Sequence, residues 1–122
     1  MDSKESKNKI GFTYAIQGIT YVWKHERNFR LHILALFLVI AAGFILQVSA
    51  LEWIFICLVS GLVLVTEMIN SALELMIDYL KPDIHPSAKA IKDIAAGSVL
   101  ISALLAIVVG SIIFIPKVMD VL

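Results

Sequence analysis

The chain has 122 residues, 60% of them hydrophobic and 16% charged, with a mean hydropathy of +0.92 and a formal net charge of zero. That length allows one domain, and the composition excludes an ordinary soluble one and places the chain among membrane proteins. Zero net charge argues against a nucleic-acid partner, and the single cysteine, Cys57, rules out an intrachain disulfide and argues against a metal–thiolate site.

The chain opens with the polar stretch Met1–Lys9, with no short apolar segment and small-residue cleavage site behind it. A secretory signal is therefore not expected, and the first span should stay in the protein. Ile10–Trp23 puts Phe12, Ala15, Ile16, Ile19, Val22 and Trp23 at helical spacing, with Thr13, Gln17, Thr20 and Lys24 elsewhere. This predicts an amphipathic helix over about residues 8–28, lying in the membrane interface; the alternative is a fourth helix packed into the bundle.

Leu31–Val48, Trp53–Val65 and Ile94–Ile115 are nearly free of charge. A helix needs about 20 mainly apolar residues to cross a hydrocarbon core of roughly 30 Å, and these runs predict three transmembrane helices, over about 30–48, 52–78 and 88–115. The second must extend into Thr66–Ile77 to span, and so carries Glu67, Asn70 and Glu74. Between the second and third, Lys81-Pro82-Asp83-Ile84-His85-Pro86-Ser87 is a break, after which Ser87 is expected to cap a helix starting near Ala88. Trp23, Trp53 and Tyr79 are expected to mark the interfaces. His32 receives no assignment.

Lys4, Lys7, Lys9, Lys24, Arg27 and Arg30 precede the first span, and Lys81, Lys89 and Lys92 lie between the second and third. The Ser49–Glu52 link has no cation, and Lys117 alone sits at the far side. The positive-inside rule then puts the N-terminus and the Asp78–Asp93 loop on the cytoplasmic face of the cell membrane.

The chemistry concentrates in Glu67–Asp78. At 100° per residue, Glu67, Glu74 and Asp78 fall within about 40° of one another, flanked by Asn70 and Ser71. The stripe covers roughly 16 Å of helix, from inside the bilayer to the headgroups. A charged side chain at the bilayer centre costs roughly 3 kcal/mol or more, so such residues turn inward and mark function, although a polar stripe also serves to join helices. Glu26 before the first span and Lys92-Asp93 before the third belong at the same depth. Carboxylates with a lysine and an asparagine suit Mg²⁺ shared with substrate phosphates, and a carboxylate held partly out of water suits a group that accepts a hydroxyl proton. No phosphate-binding glycine loop occurs among the six glycines, so a nucleotide site must be built between helices. A proton-coupled transporter subunit is the non-enzymatic alternative.

Glu67-x-x-Asn70-Ser71-Ala72-x-Glu74, followed by Lys92-Asp93 opening the next span, resembles the signature of the small prokaryotic diacylglycerol kinase family, and the resemblance runs from Gly11-Phe12-Thr13 and Glu26-x-x-Phe29-Arg30 through the third span. It implies one lipid-kinase domain over residues 1–122, assembled as a homotrimer with an interfacial helix and three membrane helices per subunit. It also implies transfer of phosphate from ATP to a lipid hydroxyl with Mg²⁺. By matching position, Glu67 resembles the catalytic base and Glu26 and Glu74 the Mg²⁺ ligands and nucleotide contacts. Asn70 matches a polar active-site position, Lys92 and Asp93 match nucleotide contacts, and Asp83 and His85 resemble residues near the nucleotide. The enterobacterial branch has an arginine near the start of the amphipathic helix, whereas here Gly11-Phe12-Thr13 is followed by Tyr14 and the nearest cations are Lys7 and Lys9. The chain looks closer to the Gram-positive branch, which implies undecaprenol as the lipid, with diacylglycerol the alternative.

Overall fold

The computed structural model describes residues 3–80 and 85–122, with side chains from residue 11 onward. It contains α1 (Ser3–His25), α2 (Arg27–Ile45), α3 (Ala50–Tyr79) and α4 (Pro86–Val121), and no strand among the described residues. α2, α3 and α4 are each long and apolar enough to cross a membrane, so the all-α architecture with three spans expected from the sequence is what the chain adopts.

Each break between helices has a local cause. Glu26 is extended (φ −113°, ψ 108°) and separates α1 from α2. Arg30, one turn into α2, donates from Nη1 to the carbonyls of Trp23 (2.7 Å) and Lys24 (3.3 Å). Those are last-turn carbonyls of α1 that its own helix cannot satisfy, so the guanidinium fixes the corner at which Glu26 sits. α2 ends where Gln47 enters the left-handed region (φ 55°) and the Val48 N–H reaches back to the Gly43 carbonyl at 3.1 Å. That is the wide hydrogen bond of a Schellman closure, here with glutamine in the position glycine usually takes. α3 then starts on a reciprocal capping box: the Glu52 N–H donates to Ser49 Oγ at 3.2 Å and the Ser49 N–H to Glu52 Oε1 at 2.8 Å.

α4 begins earlier than the sequence pattern suggested. His85, not Ser87, is its cap: the ring Nδ1 accepts from the Ser87 N–H at 3.1 Å, and Pro86 opens the helix. Proline fits the first helical position because its φ is preset and no N–H is needed there.

α3 and α4 make the most extensive pairing, α2 packs on α3 and α1, and the α4 backbone comes close to neither α1 nor α2 among the described residues. Val48, Ile56 and Ile113 form a buried cluster at the Ser49 end, joined by Val39, Trp53, Val109 and Phe114. Trp53 was expected to mark an interface, yet its ring turns inward, against Gly43 and 5.0 Å from the Phe44 ring. At the same end Lys117 Nζ pairs with Glu52 Oε1 at 3.0 Å and ties α4 to α3.

Most other large apolar side chains of the spans, such as Phe37, Leu38, Leu58, Ile101 and Ile112, face outward. A water-soluble chain would not tolerate this, whereas lipid or a neighbouring subunit covers such surface without cost. On α1, Phe12, Ile16, Ile19 and Trp23 are likewise uncovered, and Val22 alone of the expected apolar face is buried.

Candidate functional site

α3 spans 30 residues, roughly 45 Å, which exceeds the hydrocarbon thickness by several turns. Glu67 lies about 25 Å along it from Ala50, and Asp78 about 42 Å. Glu67 therefore falls inside the apolar zone near one boundary while Asp78 emerges beyond it. The burial follows this order: Glu67 is 2% exposed, Asn70 and Ser71 are buried, Glu74 is half-buried and Asp78 is exposed.

Around Glu67 the chain gathers groups from three helices. Its Oε2 lies 3.8 Å from His32 Nε2 on α2, and the charges of Glu26 and Glu74 also act on it. Glu26 reaches the site because the α1–α2 corner places it there, and its side chain makes no capping hydrogen bond. One turn along α3 from Glu67, Asn70 Nδ2 donates to Glu74 Oε1 at 3.5 Å. Thr66, the neighbour of Glu67, shares a 2.9 Å hydrogen bond with Ser102 Oγ on α4, and Ser102 is 2% exposed. That part-buried bond ties the α3 turn carrying Glu67 to α4.

Closer to the headgroups, Lys92 Nζ on α4 meets Asp78 Oδ1 on α3 at 2.6 Å, one turn from Glu74. Asp93 instead pairs with Lys89 on its own helix at 2.6 Å. His85 is exposed and occupied in capping α4, and Asp83 lies outside the described residues. The structure thus brings Glu26, Glu67, Asn70 and Glu74 together, with Lys92 alongside, and leaves Asp93 directed to its own helix.

Two polar atoms here have no hydrogen-bond partner among the described residues: Asn70 Oδ1 and Ser71 Oγ, both buried. A buried acceptor left unpaired costs about 1–3 kcal/mol, so these atoms call for a group from outside the single chain. Among the described residues no three His, Cys, Asp or Glu side chains are close enough to hold a metal ion by themselves. Two carboxylates with hard oxygen donors nevertheless fit Mg²⁺, which commonly takes one or two protein carboxylates and completes its octahedron with water and substrate phosphates.

A cavity of about 500 Å³ separates α2 from α4 above this cluster, lined by residues including His32, Leu36, Val39, Leu64, Ala106 and Phe114. His32 and the Thr66–Ser102 bond are not picked out as site features from the sequence. Thr66 adjoins a buried carboxylate, which is a signal of sorts. For His32 the sequence gives none, because the rotation of α2 against α3 decides whether its ring meets Glu67.

Comparison with known proteins places these residues in a wider setting. A family model described as prokaryotic diacylglycerol kinase matches residues 13–114. An undecaprenol kinase of Bacillus subtilis is 38% identical over 122 residues, covering 96% of this chain and 99% of its own length. A diacylglycerol kinase of Synechocystis is 36% identical over 91% of this chain and 64% of its own length. The diacylglycerol kinase of Escherichia coli is 28% identical over 88% of this chain and 94% of its own.

Proposed function

The chain belongs to the prokaryotic diacylglycerol kinase family, and we propose that it transfers the γ-phosphate of MgATP to the hydroxyl of undecaprenol, giving undecaprenyl phosphate. The observation that carries the reading is the buried Glu67 carboxyl with Glu26, Asn70 and Glu74 around it at one membrane boundary, where a lipid hydroxyl and a water-soluble nucleotide can meet. Undecaprenol is favoured by the near full-length similarity to the Bacillus enzyme; diacylglycerol is the alternative suggested by the other relatives.

In this mechanism Glu67 orients the acceptor hydroxyl and takes its proton as the oxygen attacks phosphorus. Glu26 and Glu74 would hold Mg²⁺, which would supply positive charge to offset that of the phosphates. Lys92, one turn away beside Asp78, adds positive charge at the transferred group, and Asp93, His85 and Asp83 lie toward the nucleotide. The site faces the cytoplasm: Lys24, Arg27, Arg30, Lys89 and Lys92 lie at its end of the bundle, and Lys117 at the other is paired with Glu52. α1 lies in that interface with Phe12, Ile16 and Ile19 in the lipid.

The working form is a homotrimer. The unpaired Asn70 Oδ1 and Ser71 Oγ, together with the thin packing of α2, support a site completed by a neighbouring subunit.

Phosphate transfer from ATP in mixed micelles tests the assignment, with undecaprenol and diacylglycerol offered separately and in competition, with and without Mg²⁺, and Glu67→Gln as control. Preferred, Mg²⁺-dependent labelling of undecaprenol that disappears in the control is the expected result. Preference for diacylglycerol moves the chain to the other substrate, and transfer to neither refutes the reading.

A further inference from the structure

Among the described residues His32 is the only ionisable one lining the cavity between α2 and α4, and its ring also faces Glu67. Its Nε2 stands 3.8 Å from Glu67 Oε2. A hydrogen bond between nitrogen and oxygen closes at about 2.7–3.2 Å, so the two groups confront each other without making one. Nor is the carboxyl engaged elsewhere: among the described residues no hydrogen bond to Glu67 from another side chain occurs, and Glu67 remains almost wholly buried.

Two polar atoms held this far apart can both touch one oxygen. An alcohol oxygen about 2.8 Å from each completes a triangle whose angle at that oxygen is about 85°, narrow but open enough for it to accept from the ring N–H while giving its own proton to the carboxylate. A neutral imidazole protonated on Nε2 is a donor at that atom, which is what an alcohol already donating to Glu67 requires. The cavity that His32 also lines is bounded almost entirely by apolar side chains such as Leu36, Val39 and Leu64. A hydroxyl carried on a hydrocarbon chain therefore reaches this pair from the bilayer side.

We propose that His32 is a further catalytic residue, holding the lipid hydroxyl between its Nε2–H and the Glu67 carboxylate. This rests on the lipid-kinase reading above. As the alcohol oxygen bonds to the γ-phosphorus, its proton passes to Glu67, the bridging P–O bond breaks, and ADP leaves with that electron pair. His32 keeps its own proton throughout. Its hydrogen bond fixes the direction of the attacking lone pair, a positioning effect that a carboxylate acting alone from one side does not supply.

The test uses the full chain in mixed micelles with MgATP and the lipid alcohol, comparing His32→Phe, His32→Gln and His32→Asn. Phenylalanine fills the volume without a donor, and loss of one preorganised donor should lower kcat by about 10²-fold or more while the KM for MgATP stays within about twofold. Glutamine reaches as far as the imidazole and restores an N–H, so it should recover to within about tenfold of wild type; asparagine is one methylene shorter and should not. His32→Phe turning over like wild type overturns the proposal. Equal losses in the glutamine and asparagine variants overturn it too, since they mark His32 as packing, and this comparison stands even where the phenylalanine variant does not fold. A wild-type chain that phosphorylates no lipid alcohol refutes the kinase reading itself, a separate outcome from a wild type that is active and indifferent to His32.

Discussion

Gly43 sets how closely α2 approaches α3, and replacing it tests whether helix docking far from the polar cluster controls the cluster. A Cβ at residue 43 falls 2.8 Å from Trp53 Cζ2 and 3.0 Å from Cζ3, with Cη2 closer still. Carbon atoms prefer roughly 3.5–4.0 Å, so the ring or the helix must retreat by about 1 Å. The ring has little room, being packed against Phe44 and beside the Val48–Ile56–Ile113 cluster. Overpacking of this kind costs about 1–3 kcal/mol, and valine, with two γ-carbons, belongs at the upper end; its better helix propensity returns about 0.4 kcal/mol. Gly43→Val should therefore destabilise by about 2 kcal/mol, read from denaturant unfolding in micelles. Residue 43 lies roughly 16 Å along α2 from His32, so the strain also tilts the helix that brings His32 to Glu67, and kcat should fall although no polar group has changed. Trp53→Leu in the same chain makes room, and the double-mutant cycle should show a coupling of at least about 1 kcal/mol together with recovered turnover. Additive effects, or a Gly43→Val chain as stable and active as wild type, would refute this account of α2 docking.

Three further outcomes follow from named contacts. Glu74→Ala should abolish Mg²⁺-dependent turnover while leaving the size of the assembly unchanged by light scattering; normal activity removes Glu74 from the metal site. Ser102→Ala breaks the part-buried bond to Thr66 and should cost about 0.6–2 kcal/mol, the range for hydrogen bonds between membrane helices, with unchanged stability counting against that bond. Gln47→Gly relieves a left-handed glutamine, and the gain, reduced by the entropy of an added glycine in the unfolded chain, should be about 0.5–1 kcal/mol; a loss of stability would show that the Gln47 side chain makes a contact worth more than the strain.

The polar site was legible in part because helical periodicity is rigid. Once α3 had to run past Thr66 to cross the membrane, Glu67, Asn70 and Glu74 were bound to share a face, and the burial of Glu67 and Asn70 follows from that geometry. Glu26 is expected at the same level from its position before the first span, although the device that holds the α1–α2 corner, Arg30 closing the end of α1, is a contact between helices that no periodicity contains. The start of α4 was misjudged because Ser87 is a common cap, whereas the histidine ring at 85 together with proline at 86 satisfies the same need two residues earlier.

By itself the sequence determined the number of spans, their order and the helix face on which the carboxylates lie, since bilayer thickness and the 100° turn act on each helix separately. The tertiary structure decided which groups meet across helices: His32 with Glu67, Thr66 with Ser102, Lys92 with Asp78, and Asp93 with its own helix. Those pairings depend on how each helix is rotated and spaced against the next, and that is set by contacts such as Gly43 on Trp53 between residues ten apart in the chain and brought together by the turn between α2 and α3.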